Sequence, residues 1–197
     1  EKAGIHRCVL CTASKLEYPS FVDWCKEHAP KGLTIVDNEK LDVEYVARHP
    51  NMLFPKESKY AAQWFHILQH RGQAKYFKEQ HLDIICLGRR LQDGNHVGGA
   101  GQNIYTDGKG VTRFSPISKW RHEDVLAVIH YFLNDQMPPI YNWKNGFIVG
   151  TGVWAARQWV GTVQNGWQEL WDINPSMVYD AAKHIVSAQE FINNIKK

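Results

Sequence analysis

Apolar strand-like runs alternate with helix-like runs along most of this chain. That alternation narrows the fold more than any other feature, because parallel strands need a crossover and the crossover is usually a helix. "RCVLCTA", Arg7 to Ala13, reads as a buried strand, and Pro19 then opens a helix with Phe21, Trp24 and Cys25 at helical spacing. "LTIV", Leu33 to Val36, is a second strand, and Ser58 to Gln80 reads as one or two helices broken near Gly72. "LDIICLG", Leu82 to Gly88, is apolar throughout, as a central parallel strand should be. "RFSPIS" resumes extended structure, and "HEDVLAVIHYFLND" is a helix with Val125, Val128, Ile129 and Phe132 on one face. A closing helix takes Asn174 as its N-cap and Pro175 as its first residue, and carries Val178, Ala181, Ala182, Ile185, Ile192 and Ile195 inward. The pattern predicts an α/β fold, a parallel sheet wrapped by helices.

Length and composition bound what such a fold can do. With 197 residues and 44% hydrophobic content, the chain can bury one substantial core. A net charge of +3 gives no global field for a polyanion, so any anion affinity must come from local clustering, and nucleic acid binding has no support in the sequence. Cys8, Cys11, Cys25 and Cys86 show no disulfide-framework spacing, and neither a signal peptide nor a membrane-length apolar run occurs, which predicts a cytoplasmic protein. The chain begins with Glu1 and enters an apolar run within a few residues, so a longer gene product is expected.

The stretch "ICLGRRLQDGNHVGGAGQN" carries the clearest chemistry. In open parallel sheets, ligands bind beyond the carboxyl ends of the strands, and there Gly88 lets the backbone turn while Arg89 and Arg90 present two guanidinium forks suited to phosphate or sulfate. The alternative is a pair of surface arginines bonded to nearby carboxylates. Gly94, Gly98, Gly99 and Gly101 form either a mobile lid with backbone N–H groups for an anion or a plain flexible loop. Neither a G-x-x-x-x-G-K-[ST] loop nor a G-x-G-x-x-G turn is present.

"KLEYPSFVDWCKEH", "DIICLGRRLQDGN", "FSPISKWRHEDVLAVIHYFLNDQMPPIYNW" and "NGFIVGTGVW", in this order, resemble the phosphoadenosine phosphosulfate (PAPS) reductase domain family of the adenine nucleotide alpha-hydrolase-like group. The resemblance runs from about Arg7 to Trp154. It implies a three-layer Rossmann-like fold with a mostly parallel sheet and helices on both faces. It also implies a nucleotide-binding domain over residues 1–160 followed by a C-terminal helical extension over 161–197. The implied ligand is ATP or PAPS, with Arg89 and Arg90 at its anionic part, Gly88, Gly98 and Gly99 beside it, and Arg113 a weaker candidate for the same anion. The implied activity is sulfur or nucleotidyl transfer, PAPS reductase-like oxidoreductase or nucleotidyl transferase. The alternative is a degenerate member that senses nucleotide or binds a protein without catalysis. The family's Ser-Gly-Gly-Lys-Asp-Ser-type phosphate loop would precede Arg7, so it is expected upstream of Glu1. The family's C-terminal thiol has no counterpart in "SAQEFINNIKK", and no iron-sulfur cluster is expected.

Weaker candidates complete the reading. Cys8 and Cys11, three positions apart on a strand, point to opposite faces, and no second pair completes a metal site. Glu123 and Asp124, next to His122 at a helix start, suit the helix dipole. Trp143, Trp154, Trp159, Trp167 and Trp171 concentrate in the C-terminal third. They serve as core, as a stacking surface for adenine, or as a contact face for a protein partner or a second copy.

Overall fold

The structure is a computed structural model and describes residues 7–29, 31–142 and 152–196. It is of mixed α/β class and divides into two compact units, residues 1–76 with 138–197, and residues 77–137. Trp143 and most of "NGFIVGTGVW" lie outside the described residues.

In the larger unit, β1 (Cys8–Thr12) pairs in parallel with β2 (Leu33–Asp37), in register from Cys8 with Leu33 to Thr12 with Asp37. The crossover is α1 (Pro19–Glu27), with Pro19 in its first turn, where the missing N–H costs nothing. Then come α2 (Val43–Arg48), capped by the Asp42 carboxylate on the Tyr45 N–H at 2.8 Å, and α3 (Ser58–Phe65). A π-helical turn over His66–His70 leads directly into α4 (Arg71–Glu79). The sequence places the break near Gly72; it falls just before, and Gly72 has a different duty. A Cβ built on it would lie 2.8 Å from Cys11 Sγ, so only glycine lets the helix come this close to β1.

The core of this unit is aromatic. Trp64, Trp154, Trp167 and Phe54 are buried with Leu16, Ile140 and Leu170, and Phe54 meets the Trp167 ring edge-on at 5.1 Å between centroids. Two of the C-terminal tryptophans are therefore core, and Trp159 is not, being 88% exposed.

The closing segment differs from the single helix read in the sequence. After α6 (Val163–Ile173), Asn174 does cap α7 (Pro175–Ala181), its side chain accepting from the Ser176 N–H at 3.1 Å. The chain then leaves the helix at residues 182–185, where Ile185 is extended, and restarts as α8 (Val186–Ile195). Val178, Ala181, Ile185 and Ile192 are buried as expected and Ala182 is packed against them, but Ile195, in the last turn, is 42% exposed.

In the smaller unit, β3 (Ile84–Cys86) pairs in parallel with β5 (Thr112–Phe114), and β4 (Ile104–Thr106) pairs antiparallel with β5. Among the described strands the order is β3-β5-β4, which puts β3 at an edge and not in the centre as its apolar run suggests. Ile84 is accordingly half exposed. An apolar run sets strand propensity, whereas the number of neighbours depends on distant partners. The last helix of the unit, α5 (His122–Leu133), starts with the Asp124 carboxylate accepting the Arg121 N–H at 2.8 Å. Val125, Val128 and Ile129 are half buried, while Phe132, expected on the same face, is 76% exposed in the last turn, before the chain passes through left-handed Asn134.

Candidate functional site

The strand-end arginines sit where the sequence places them, just beyond the carboxyl end of β3. The Leu87 N–H still bonds to the Phe114 carbonyl, Gly88 follows, and a turn closes when Gly94 N–H reaches the Leu91 carbonyl. Arg90 is largely buried: its side chain is only 13% exposed. Its Nε and Nη2 donate to the two Asp93 carboxylate oxygens at 2.9 and 2.6 Å, and its Nη1 is buried with no hydrogen-bond partner. Arg89 makes a long bond, Nη1 to the His96 carbonyl at 3.4 Å. Arg113, on β5 opposite Ile85, donates from Nε to Asp107 at 2.9 Å. The Lys109 N–H and this guanidinium hold the Asp107 carboxyl below its ordinary range. The neighbouring carboxylates that the sequence reading set against an anion site are thus present on Arg90 and Arg113.

The glycine-rich segment after Gly88 is anchored to the unit by a buried side chain. Val97 is buried, and Gly98 at φ 131° then carries the chain into a short turn over Gly99–Gly101. A Cβ on Gly98 would come within 2.8 Å of the Gln102 carbonyl oxygen, so this position requires glycine, whereas Gly99 faces open space.

A second arrangement, in the larger unit, is one the sequence reading missed. At the carboxyl end of β1 a short turn over Ser14–Leu16 delivers Glu17, only 6% exposed, into an aromatic environment. Thr12 Oγ1 donates to Glu17 Oε1 at 2.9 Å, the Gly152 N–H also favours the carboxylate, and Oε2 is buried without a hydrogen-bond partner. Burial raises the Glu17 carboxyl to about 7, aided by the Asp37 charge and opposed by Thr12. Glu17 lines a cavity of about 480 Å³, the size of a small-molecule site, with Tyr18, Phe21, Trp64 and Trp154 among its walls. Arg157 also lines it, but its charge is matched by Glu169 at 3.1 Å, and its Nη1 donates to the Gln158 carbonyl at 2.7 Å. The signal available in advance was an acidic residue between apolar Leu16 and Tyr18, a few residues after a strand.

Cys8 and Cys11 share β1, both half buried, and burial pushes the Cys11 thiol up, away from the reactive thiolate. Among the described residues no cluster of histidine, cysteine and carboxylate has the makings of a metal site, and no helix is long and apolar enough to cross a membrane. Comparison with known proteins found no matching family model, no matching curated protein and no matching solved structure.

Proposed function

We propose that the chain binds an adenine nucleotide or sulfonucleotide, ATP or PAPS, through Arg89 and Arg90, and acts in sulfur or nucleotidyl transfer chemistry on a three-layer Rossmann-like framework. The observation that carries this reading is the buried, unpartnered Nη1 of Arg90 at the carboxyl end of a parallel strand. A guanidinium donor removed from water and left unbonded is costly, and a phosphate or sulfate oxygen satisfies it. Arg89, whose bond to the His96 carbonyl is long at 3.4 Å, stands next in the chain to join it on the same anion. The resemblance to the PAPS reductase domain family supplies the adenine part of the proposal.

The test is calorimetric titration with ATP, PAPS and adenosine. Arg89→Ala and Arg90→Ala each weaken nucleotide binding by about one to two powers of ten, leave adenosine unaffected, and barely move the melting temperature. Lysine at either position recovers part of the affinity, since it keeps the charge and loses the fork. Unchanged nucleotide affinity in both alanine variants refutes the reading.

One observation favours a second reading, a non-catalytic sensor or interaction module. Asp93 and Asp107 already occupy guanidinium donors of Arg90 and Arg113, while Trp159 stands exposed as a contact residue for a protein partner or a second copy. Absence of nucleotide binding together with capture of one defined partner, lost in Trp159→Ala, would decide for it.

A further inference from the structure

The cavity beside Glu17 belongs to a different unit from the arginines, and its chemistry is of the opposite sign. We propose that it is a binding site for a small planar molecule with two adjacent N–H donors, an amidine, guanidine or amino-heterocycle, gripped by the Glu17 carboxylate and stacked on the surrounding aromatic rings.

Three features of the cavity point to that class. First, Glu17 is more than nine-tenths buried and its Oε2 has no hydrogen-bond partner among the described residues, so the site holds a buried acceptor left open. A carboxylate presents two oxygens in one plane, and a ligand with paired donors fills the vacant one while sharing Oε1 with the Thr12 hydroxyl. Second, the lining is largely aromatic: Tyr18, Phe21, Trp64, Phe65 and Trp154 contribute to it, and Phe65, half exposed, has ring surface open to a planar or cationic guest for stacking and cation–π attraction. Third, the neighbouring cation is spent. Arg157 is tied to Glu169 and to the Gln158 carbonyl, so it neither neutralises Glu17 nor recruits an anion.

The electrostatics agree with a site that waits for a donor. Burial lifts the Glu17 carboxyl to about 7, and the other groups acting on it are the Asp37 charge, the Thr12 hydroxyl and the Gly152 N–H. The Cys25 thiol, from α1, and the Tyr18 phenol both feel the Glu17 charge, and both are raised chiefly by burial. None of these supplies the positive partner that a buried carboxylate normally has. A cationic amidine does, and its binding drives Glu17 to the ionised form.

Benzamidine is the probe, with benzamide as its neutral, nearly isosteric control and phenylacetate as an anion of similar size. Binding is followed by tryptophan fluorescence, which Trp64 and Trp154 report from the cavity wall, and by calorimetry on the whole chain. The expected result is saturable benzamidine binding, with benzamide and phenylacetate about tenfold weaker or worse. Glu17→Gln, close in shape, weakens benzamidine by about tenfold with its melting transition intact, while Arg89→Ala leaves it unchanged. In the unaltered protein, benzamidine affinity rises from about pH 6 to about pH 8 as Glu17 ionises, a measurement that stands even if the variant fails to fold. Equal affinity for benzamide, an unaltered affinity in a folded Glu17→Gln, a flat pH profile, or no saturable binding overturns the proposal. Nucleotide titrations of the arginine variants are unaffected by any of these outcomes, so the two sites are tested separately.

Discussion

Arg90 and Asp93 form a two-pronged ion pair, Nε to Oδ2 at 2.9 Å and Nη2 to Oδ1 at 2.6 Å, which fixes the guanidinium plane and leaves Nη1 over. If Asp93 serves to orient the fork, its loss frees a flexible side chain that must be ordered again on binding. Asp93→Ala is then expected to weaken ATP binding by a few-fold, about 1 kcal/mol, in calorimetric titration. A rise in affinity would mean that Asp93 competes with the anion.

Glu17 makes stability depend on pH with a definite sign. Its folded-state value is raised from 4.5 to about 7, so between those limits the folded chain keeps a proton that the unfolded chain has released. Stability from this group is therefore highest below about pH 4.5 and falls as pH rises toward 7, by about 3 kcal/mol at 1.36 kcal/mol per pH unit. Denaturant melts of the native chain and Glu17→Gln across this window should show the loss in the former, and a difference between the two curves that does not change with pH would refute it.

Gly166 lies in α6 against the Phe54 ring, and a Cβ there would stand 2.5 Å from the nearest ring carbon. Phe54 has little room to move: it is buried, its backbone is left-handed at φ 46°, and its N–H is bonded to the Ala155 carbonyl at 2.8 Å. Gly166→Ala should cost about 1–3 kcal/mol despite alanine's better helix propensity, read as a shift in denaturation midpoint.

Asn174→Ala removes the side-chain acceptor from the first turn of α7 and should cost about 1 kcal/mol, with Asn174→Ser nearly neutral. Thermal melts of both variants check it.

What was legible in the sequence was local. Pro19 at a helix start, Asn174 before Pro175, and the strands at Cys8–Thr12 and Leu33–Asp37 are each set by a few neighbouring residues, and each stands where expected. The restart at Val186 carries no glycine or proline to announce it; Ile185 is extended and buried and Ala188 is buried, a break that tertiary packing and not local pattern specifies. The edge position of β3 and the pairing of β4 depend on partners far along the chain. For the site, the turn at Gly88 and the strand-end position of two adjacent arginines follow from local pattern, but the burial of Arg90, the engagement of Arg113 by Asp107 and the burial of Glu17 follow from contacts that no spacing rule encodes.

The π-helical turn at His66–His70 sets the angular phase between the two halves of one long helical segment. Trp64, upstream, faces the aromatic core, while Gly72, downstream, is pressed on Cys11 of β1. Removing a single residue from the turn would rotate everything after it by about 100°, swinging a residue with a side chain into the place that only glycine fits. Side-chain replacements at exposed His66 or His70 keep that phase, so this stretch should accept changes of identity far more readily than a change of length.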